Sequence, residues 1–149
     1  MAGNTNMSND THKGRCFCGA IEFEVKGAPA FQGYCHCTDC RGWLGAPVHA
    51  ATLWPKDHFK VTKGNDNITS YAKTPNSHRQ SCKTCGGHFS VVHPGMGMVD
   101  VMASGIPTFS FKPALHIFYG EKMISMKDGL PKFAKMPKEF GGSGETLPD

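Results

Sequence analysis

Between residues 20 and 25 the chain alternates Ile21, Phe23 and Val25 with Glu22 and Glu24, the period of two required of a strand with one buried face. Shorter apolar runs at 48–53, 59–62, 68–72, 88–93, 98–102 and 115–119 are separated by turn signals such as Lys63-Gly64-Asn65 and Pro94-Gly95. Each reads as a further strand. The 3.6-residue period is never sustained, and only short helical turns fit, at 38–43 and near Ala134. Glycine (18) and proline (10) are spread through the chain, which interrupts long helices and favours turns. The pattern predicts a mainly β fold with little helix.

A length of 149 residues suits one domain. The polar opening and the closing Gly-Gly-Ser-Gly-Glu-Thr-Leu-Pro-Asp divide it into an expected flexible tail over 1–11, a domain over 12–137 and a second flexible tail over 138–149. Hydrophobic residues at 39% and charged residues at 19% exclude a disordered chain. No run approaches the roughly 18 apolar residues of a spanning helix, so no membrane partner is expected. The first residues lack the basic start and apolar centre of a secretion signal, which makes cytoplasmic the expected location.

The seven cysteines change this picture most. They fall as Cys16-Phe17-Cys18, as Cys35-His36-Cys37-Thr38-Asp39-Cys40 and as Cys82-Lys83-Thr84-Cys85. Loops this short strain a disulfide but suit thiolates that grip one metal ion. Cys35, Cys37 and Cys40 can converge on one ion from a single turn and leave its fourth position open. Cys16, Cys18, Cys82 and Cys85 can close a second, four-sulfur site across some sixty residues of chain, a staple for a small β domain. Spacing leaves alternatives: Cys16 and Cys18 can share an ion with two of the middle three, His36 or His88 can complete a site, and both ions can be purely structural.

Copper is the rival metal because Met96, Met98 and Met102 lie close in sequence. Methionines at period two are better explained as one face of a strand facing the core. Gly95-Met96-Gly97 is too short for a phosphate loop. The formal charge of +4 raises nucleic acid as a partner, but seven thiolates outweigh two divalent ions and bring it to about +1. Lys122, Lys127, Lys132, Lys135 and Lys138 are dispersed along the last third with Phe133 the one aromatic among them, a solvated surface and no nucleic-acid site.

Three stretches together, Gly14-Arg15-Cys16-Phe17-Cys18-Gly19-Ala20, Tyr34-Cys35-His36-Cys37-Thr38-Asp39-Cys40-Arg41 and Cys82-Lys83-Thr84-Cys85-Gly86, resemble the GFA family. This family comprises the glutathione-dependent formaldehyde-activating enzyme and its relatives, among them the centromere protein V type domain. The likeness runs from about residue 12 to 137 and takes in Gly45, the turn at 61–64, Tyr71, Leu115-His116-Ile117-Phe118 and Gly129-Leu130-Pro131-Lys132-Phe133. It implies an Mss4-like fold of several coiled antiparallel sheets stapled by zinc. It also implies two zinc ions: a structural one on Cys16, Cys18, Cys82 and Cys85, and a reactive one on Cys35, Cys37 and Cys40. Two positions depart from the family pattern, Ser81 where a bulky aromatic is usual and the stretch 123–126 where a tryptophan is often found.

The activity implied is that of a carbon–sulfur lyase that joins a thiol such as glutathione to an aldehyde, in the prototype giving S-(hydroxymethyl)glutathione. The competing class is a non-catalytic zinc-stabilised binding or carrier domain. An open zinc held by three thiolates is a weak Lewis acid toward water but suits sulfur. Arg41 can fork onto a glutathione carboxylate, and Trp43 can line the pocket. Asp39 can orient the metal turn. His36 can point away from the ions, and His49 and His116, on expected strands, read as packed or hydrogen-bonded side chains.

Overall fold

The computed structural model describes residues 10–149. Most of the expected N-terminal tail, residues 1–9, lies outside them. Ten strands in two hydrogen-bonded sheets and one short α-helix make up the described chain, so the mainly β expectation holds. The chain forms two compact units, one up to Phe31 and again over Thr52–Phe111, the other over Gln32–Ala51 and Lys112–Asp149.

In the first unit β1 (Thr11–Arg15) pairs antiparallel with β2 (Glu22–Lys26), which pairs on its other edge with β5 (Phe59–Lys63). Glu22, Glu24 and Lys26 of β2 face outward while Phe23 and Val25 are buried. A second run of strands in this unit pairs β6 (Ile68–Thr74), β7 (Ser77–Cys82), β8 (His88–His93) and β9 (Met98–Met102) in sequence order, each antiparallel to the next. Ile21, Phe23, Val25, Trp54, Phe89, Val101 and Phe109 form the core, with Cys16 and Cys82 among them. Two buried polar side chains here are paired in series: Trp54 Nε1 donates to Thr52 Oγ1 at 2.9 Å, and Thr52 Oγ1 donates to the Val101 carbonyl at 2.7 Å.

The second unit is built differently. Strand β3 (Phe31–Cys35) pairs in parallel with β10 (Leu115–Ile117), Tyr34 opposite His116, a departure from the antiparallel expectation. Helix α1 (Thr38–Leu44) follows β3 and ends at Gly45, whose N–H returns to the Arg41 carbonyl. Strand β4 (His49–Pro55) carries the chain back into the first unit. The buried residues of the second unit include His36, His49, His116 and Lys132 beside Ile117 and Tyr119.

Several local expectations are corrected. Strands β1, β3 and β7 carry no apolar alternation that a sequence reading can use, because their inward positions include His12, Gly14, Gly33 and Arg79. The tail boundary at 11 therefore falls on the first residue of a strand. The last expected strand stops at Ile117 because Phe118 takes a left-handed conformation, φ 52°. No helix forms near Ala134; Lys132 and Phe133 instead make isolated bridges to His116 and Thr146. Residues 138–149 contain a 3-10 turn at Lys138–Phe140 and fold back through Ala134 N–H to the Glu145 carbonyl and Leu147 N–H to the Lys132 carbonyl. Met96 lies in a 3-10 turn (Pro94–Met96) and is exposed, so it does not share a strand face with Met98. Lys132, read as a solvated side chain, is buried between two carboxylates.

Candidate metal centres

Two similar knuckles build the four-cysteine cluster. Cys16, just after β1, receives the N–H of Gly19 on its carbonyl, and Cys82, at the end of β7, receives that of Gly86 in the same way. Gly19 and Gly86 have φ of 82° and 75°, a region in which a side chain is strained. Cys18 and Cys85 then fold back over the two turns. The Sγ atoms of Cys16 and Cys18 are 3.9 Å apart and those of Cys18 and Cys82 3.8 Å, and all four lie within 4.8 Å of one another. A tetrahedron of sulfurs 2.3 Å from a zinc ion has edges of about 3.8 Å, so the four thiols fit such an ion.

Backbone N–H groups point at these sulfurs. Ile21 donates to Cys16, Ala20 to Cys18, Thr84 and Cys85 to Cys82, and Gly87 to Cys85, at 3.3–3.5 Å. The Cys85 and Thr84 donors outweigh desolvation and bring the Cys82 thiol down to about 6, and the Gly87 donor lowers that of Cys85. Cys18 is pushed up to about 11: the Ala20 N–H favours its thiolate, but desolvation and the neighbouring thiols together prevail. Four thiolates at this spacing need a cation to balance them.

The second cluster is local. Cys35 ends β3, Cys37 caps α1, and Cys40 lies in the first turn, its N–H donating to Cys37 Sγ at 3.2 Å. Cys35 and Cys40 sulfurs are 3.8 Å apart, and the three sulfurs lie within 4.8 Å of one another. This spacing again fits a tetrahedral zinc, here with three ligands. Cys35 is buried, whereas Cys37 and Cys40 are half-buried. Hydrogen bonding to Cys37 and Cys40, followed by burial, pushes the Cys35 thiol well above its usual range. Among the described residues the two metal-type clusters contain cysteine sulfur alone, so neither His36 nor His88 joins one. Cys16 and Cys18 meet Cys82 and Cys85, not the middle three.

The profile of the glutathione-dependent formaldehyde-activating enzyme family, GFA, matches residues 11–121. The chain belongs to this family. Two relatives, from Aspergillus flavus and Aspergillus oryzae, carry names that give them provisionally as glutathione-dependent formaldehyde-activating enzymes; each is 28% identical over 94 residues. The match covers 59% of this chain and 49% of each relative, so the chain spans about half the length of the relatives it matches. A crystal structure of a Rhodobacter sphaeroides protein superposes with a TM-score of 0.55 at 25% identity, covering 66% of this chain and 90% of that one. No described helix of this GFA chain is long and apolar enough to cross a membrane.

Arg41, expected near substrate, donates from Nε to the His36 carbonyl at 3.0 Å and from Nη2 to Thr38 Oγ1 at 3.3 Å and the Glu121 carbonyl at 2.7 Å. The Glu121 carboxylate in turn accepts the Thr38 N–H at 2.8 Å. Trp43 is half-buried on α1. His36 turns inward, fully buried, and its Nε2 lies 2.8 Å from His116 Nδ1. His116 Nε2 lies 2.7 Å from Asp128 Oδ2, and Lys132 Nζ lies 2.7 Å from both Asp128 Oδ1 and Asp149 Oδ1. Sequence reasoning gave His116 as packed or hydrogen-bonded and His36 as pointing away from the ions, but missed Asp128, because an aspartate before glycine reads as an ordinary turn residue.

Proposed function

We propose that Cys35, Cys37 and Cys40 hold an open zinc at which a small thiol of the glutathione type is joined to an aldehyde, and that Cys16, Cys18, Cys82 and Cys85 hold a closed structural zinc. The family and its named relatives support glutathione and formaldehyde as the pair. The observation that carries the reading is the donor count: three sulfurs on a half-exposed turn against four on the other cluster. Zinc bound to the three would supply a cation that favours the thiolate form of an incoming sulfur.

The chain's own residues do the rest. Cys37 caps the helix it ligates from, so the sulfur and the first turn are fixed together. Arg41 ties the same turn to the Glu121 carbonyl, and its guanidinium, beside the site, provides positive charge for a substrate carboxylate. Trp43 supplies an apolar wall on the same helix. In the reaction the thiol S–H bond breaks, sulfur bonds to the carbonyl carbon, and the proton ends on the carbonyl oxygen. The product is a hydroxymethyl thioether, and the reverse is a carbon–sulfur lyase step.

Cobalt-substituted protein tests this, since sulfur-to-cobalt charge-transfer absorption strengthens when another sulfur joins the coordination shell. Glutathione should change the spectrum of the wild type and leave that of Cys37→Ser unchanged, while Arg41→Ala responds with weaker affinity. Adduct formation with formaldehyde should then exceed the spontaneous rate. A spectral response without acceleration would replace the enzyme with a carrier domain, and no response to any small thiol would remove the open-site reading.

A further inference from the structure

His36 occupies an unusual place for a fully buried polar residue, between two metal-type cysteines. Its backbone N–H donates to the Ile117 carbonyl at 3.1 Å, its carbonyl accepts from Arg41 Nε, and its ring meets His116. Tyr119 packs edge-on against both imidazoles, with ring centres 4.9 Å and 5.4 Å away, and Tyr34 stacks on His116 at 5.0 Å. The ring positions are thus held from several sides. Packing leaves open which nitrogen of each ring carries hydrogen.

Asp128 settles that. Its carboxylate faces Lys132 Nζ and the Leu130 N–H as well as His116, and an ionised carboxylate only accepts. His116 must therefore donate from Nε2, which makes its Nδ1 the acceptor in the neutral ring, and His36 must donate from Nε2. The lone pair of His36 then lies on Nδ1, a buried atom with no hydrogen-bond partner among the described residues. The opposite arrangement would bury an N–H donor at that atom without an acceptor.

We propose that Asp128 is a positioning residue of the three-cysteine centre, which through His116 fixes the tautomer and ring of His36 and so holds Cys35 and Cys37 in register to bind metal. The proposal rests on the reading of Cys35, Cys37 and Cys40 as a metal site. Its ligand side is any ion that takes three thiolates, and its chemistry is that of a carboxylate–histidine chain buttressing ligands from behind.

Nitrogen-15 correlation spectra of the metal-free wild type give the first test, because they distinguish the tautomers. Both His36 and His116 should carry hydrogen on Nε2; hydrogen on Nδ1 of His36 would overturn the proposal. Cobalt titration against a competing chelator gives the second, with the four-cysteine site of the same molecule as reference. Asp128→Ala should weaken the three-cysteine site about 10–100-fold and mix the His116 tautomers. Asp128→Asn keeps an acceptor oxygen and should recover most of the affinity and the wild-type tautomers. Equal loss in both variants would assign the effect to the Lys132 ion pair and overturn the proposal, as would no loss in Asp128→Ala. If the wild type takes up cobalt only at the four-cysteine site, the open-site reading fails, while the tautomers still decide whether Asp128 orders the two rings.

Discussion

The chain contains the sequence Cys-x-Cys twice and treats its middle residue in opposite ways. Phe17, between Cys16 and Cys18, is 89% exposed, whereas His36, between Cys35 and Cys37, is 0% exposed. In the first knuckle the support for sulfur comes from the backbone, through a glycine-turned loop whose Ala20 and Ile21 N–H groups point at Cys18 and Cys16. The middle side chain has no part in it. In the second, the Cys40 N–H serves Cys37 Sγ, and buttressing also comes from side chains that converge on His36. A four-sulfur cluster closed over a long loop can rely on the metal to hold it; a three-sulfur turn with an open face needs its geometry kept from behind.

The largest effect expected from this contrast is on folding. Cys82→Ser removes a buried sulfur that belongs to the core of the first unit and to the link across sixty-odd residues. Structural zinc contributes on the order of 10 kcal/mol to folding in small zinc domains, so the variant should unfold or melt far below the wild type by circular dichroism. Cys37→Ser should retain the fold and lose one of two zinc ions by elemental analysis. Equal destabilisation by the two variants would erase the distinction between staple and open site, and a wild-type content of one ion or fewer would remove the two-site scheme.

A smaller loss is expected at the second knuckle's middle residue. His36→Phe keeps a ring but leaves His116 Nδ1 buried without its donor, an uncompensated polar atom that costs about 1–3 kcal/mol. The His36 imidazole is held down to about 4, chiefly by burial and secondly by His116. Below about 6.5, the ordinary value for histidine, the unfolded chain takes up a proton that the folded chain refuses. Stability therefore falls with pH from about 6.5 towards 4. His36→Gln should flatten that part of the wild-type melting-temperature profile, since the protonation of thiols is common to both proteins. Superimposable slopes would mean that the buried imidazole titrates elsewhere.

How much of this contrast is legible in the sequence depends on which atoms provide the support. The cysteine groups, the strand over Ile21, Phe23 and Val25, and the short helix after Cys37 follow from spacing and period, because each is a local pattern. The Asp128–His116–His36 chain joins residues 80 and 12 positions apart, and neither separation has a periodic signature. Lys132 looks like its dispersed neighbours until Asp128 and Asp149 are seen on either side of it. Strands β1 and β7 bury His12 and Arg79 where a hydrophobic reading looks for aliphatics. Polar residues enclosed by tertiary contacts are what a sequence pattern hides.

The smallest effect, and the sharpest check on the contrast, is expected at Phe17. Its side chain is a large aromatic between two candidate ligands, a place from which a ring could shield a bound metal. The exposure argues otherwise, because a ring 89% open to water excludes little solvent and contributes little burial energy. Phe17→Ser should therefore change stability by no more than about 0.5 kcal/mol, as for other surface substitutions, and leave both the zinc content and the rate of zinc loss to a chelator as in the wild type. Faster loss from the four-cysteine site would show that the ring covers the sulfurs in solution, and the claim that the middle side chain has no part in this knuckle would have to be withdrawn.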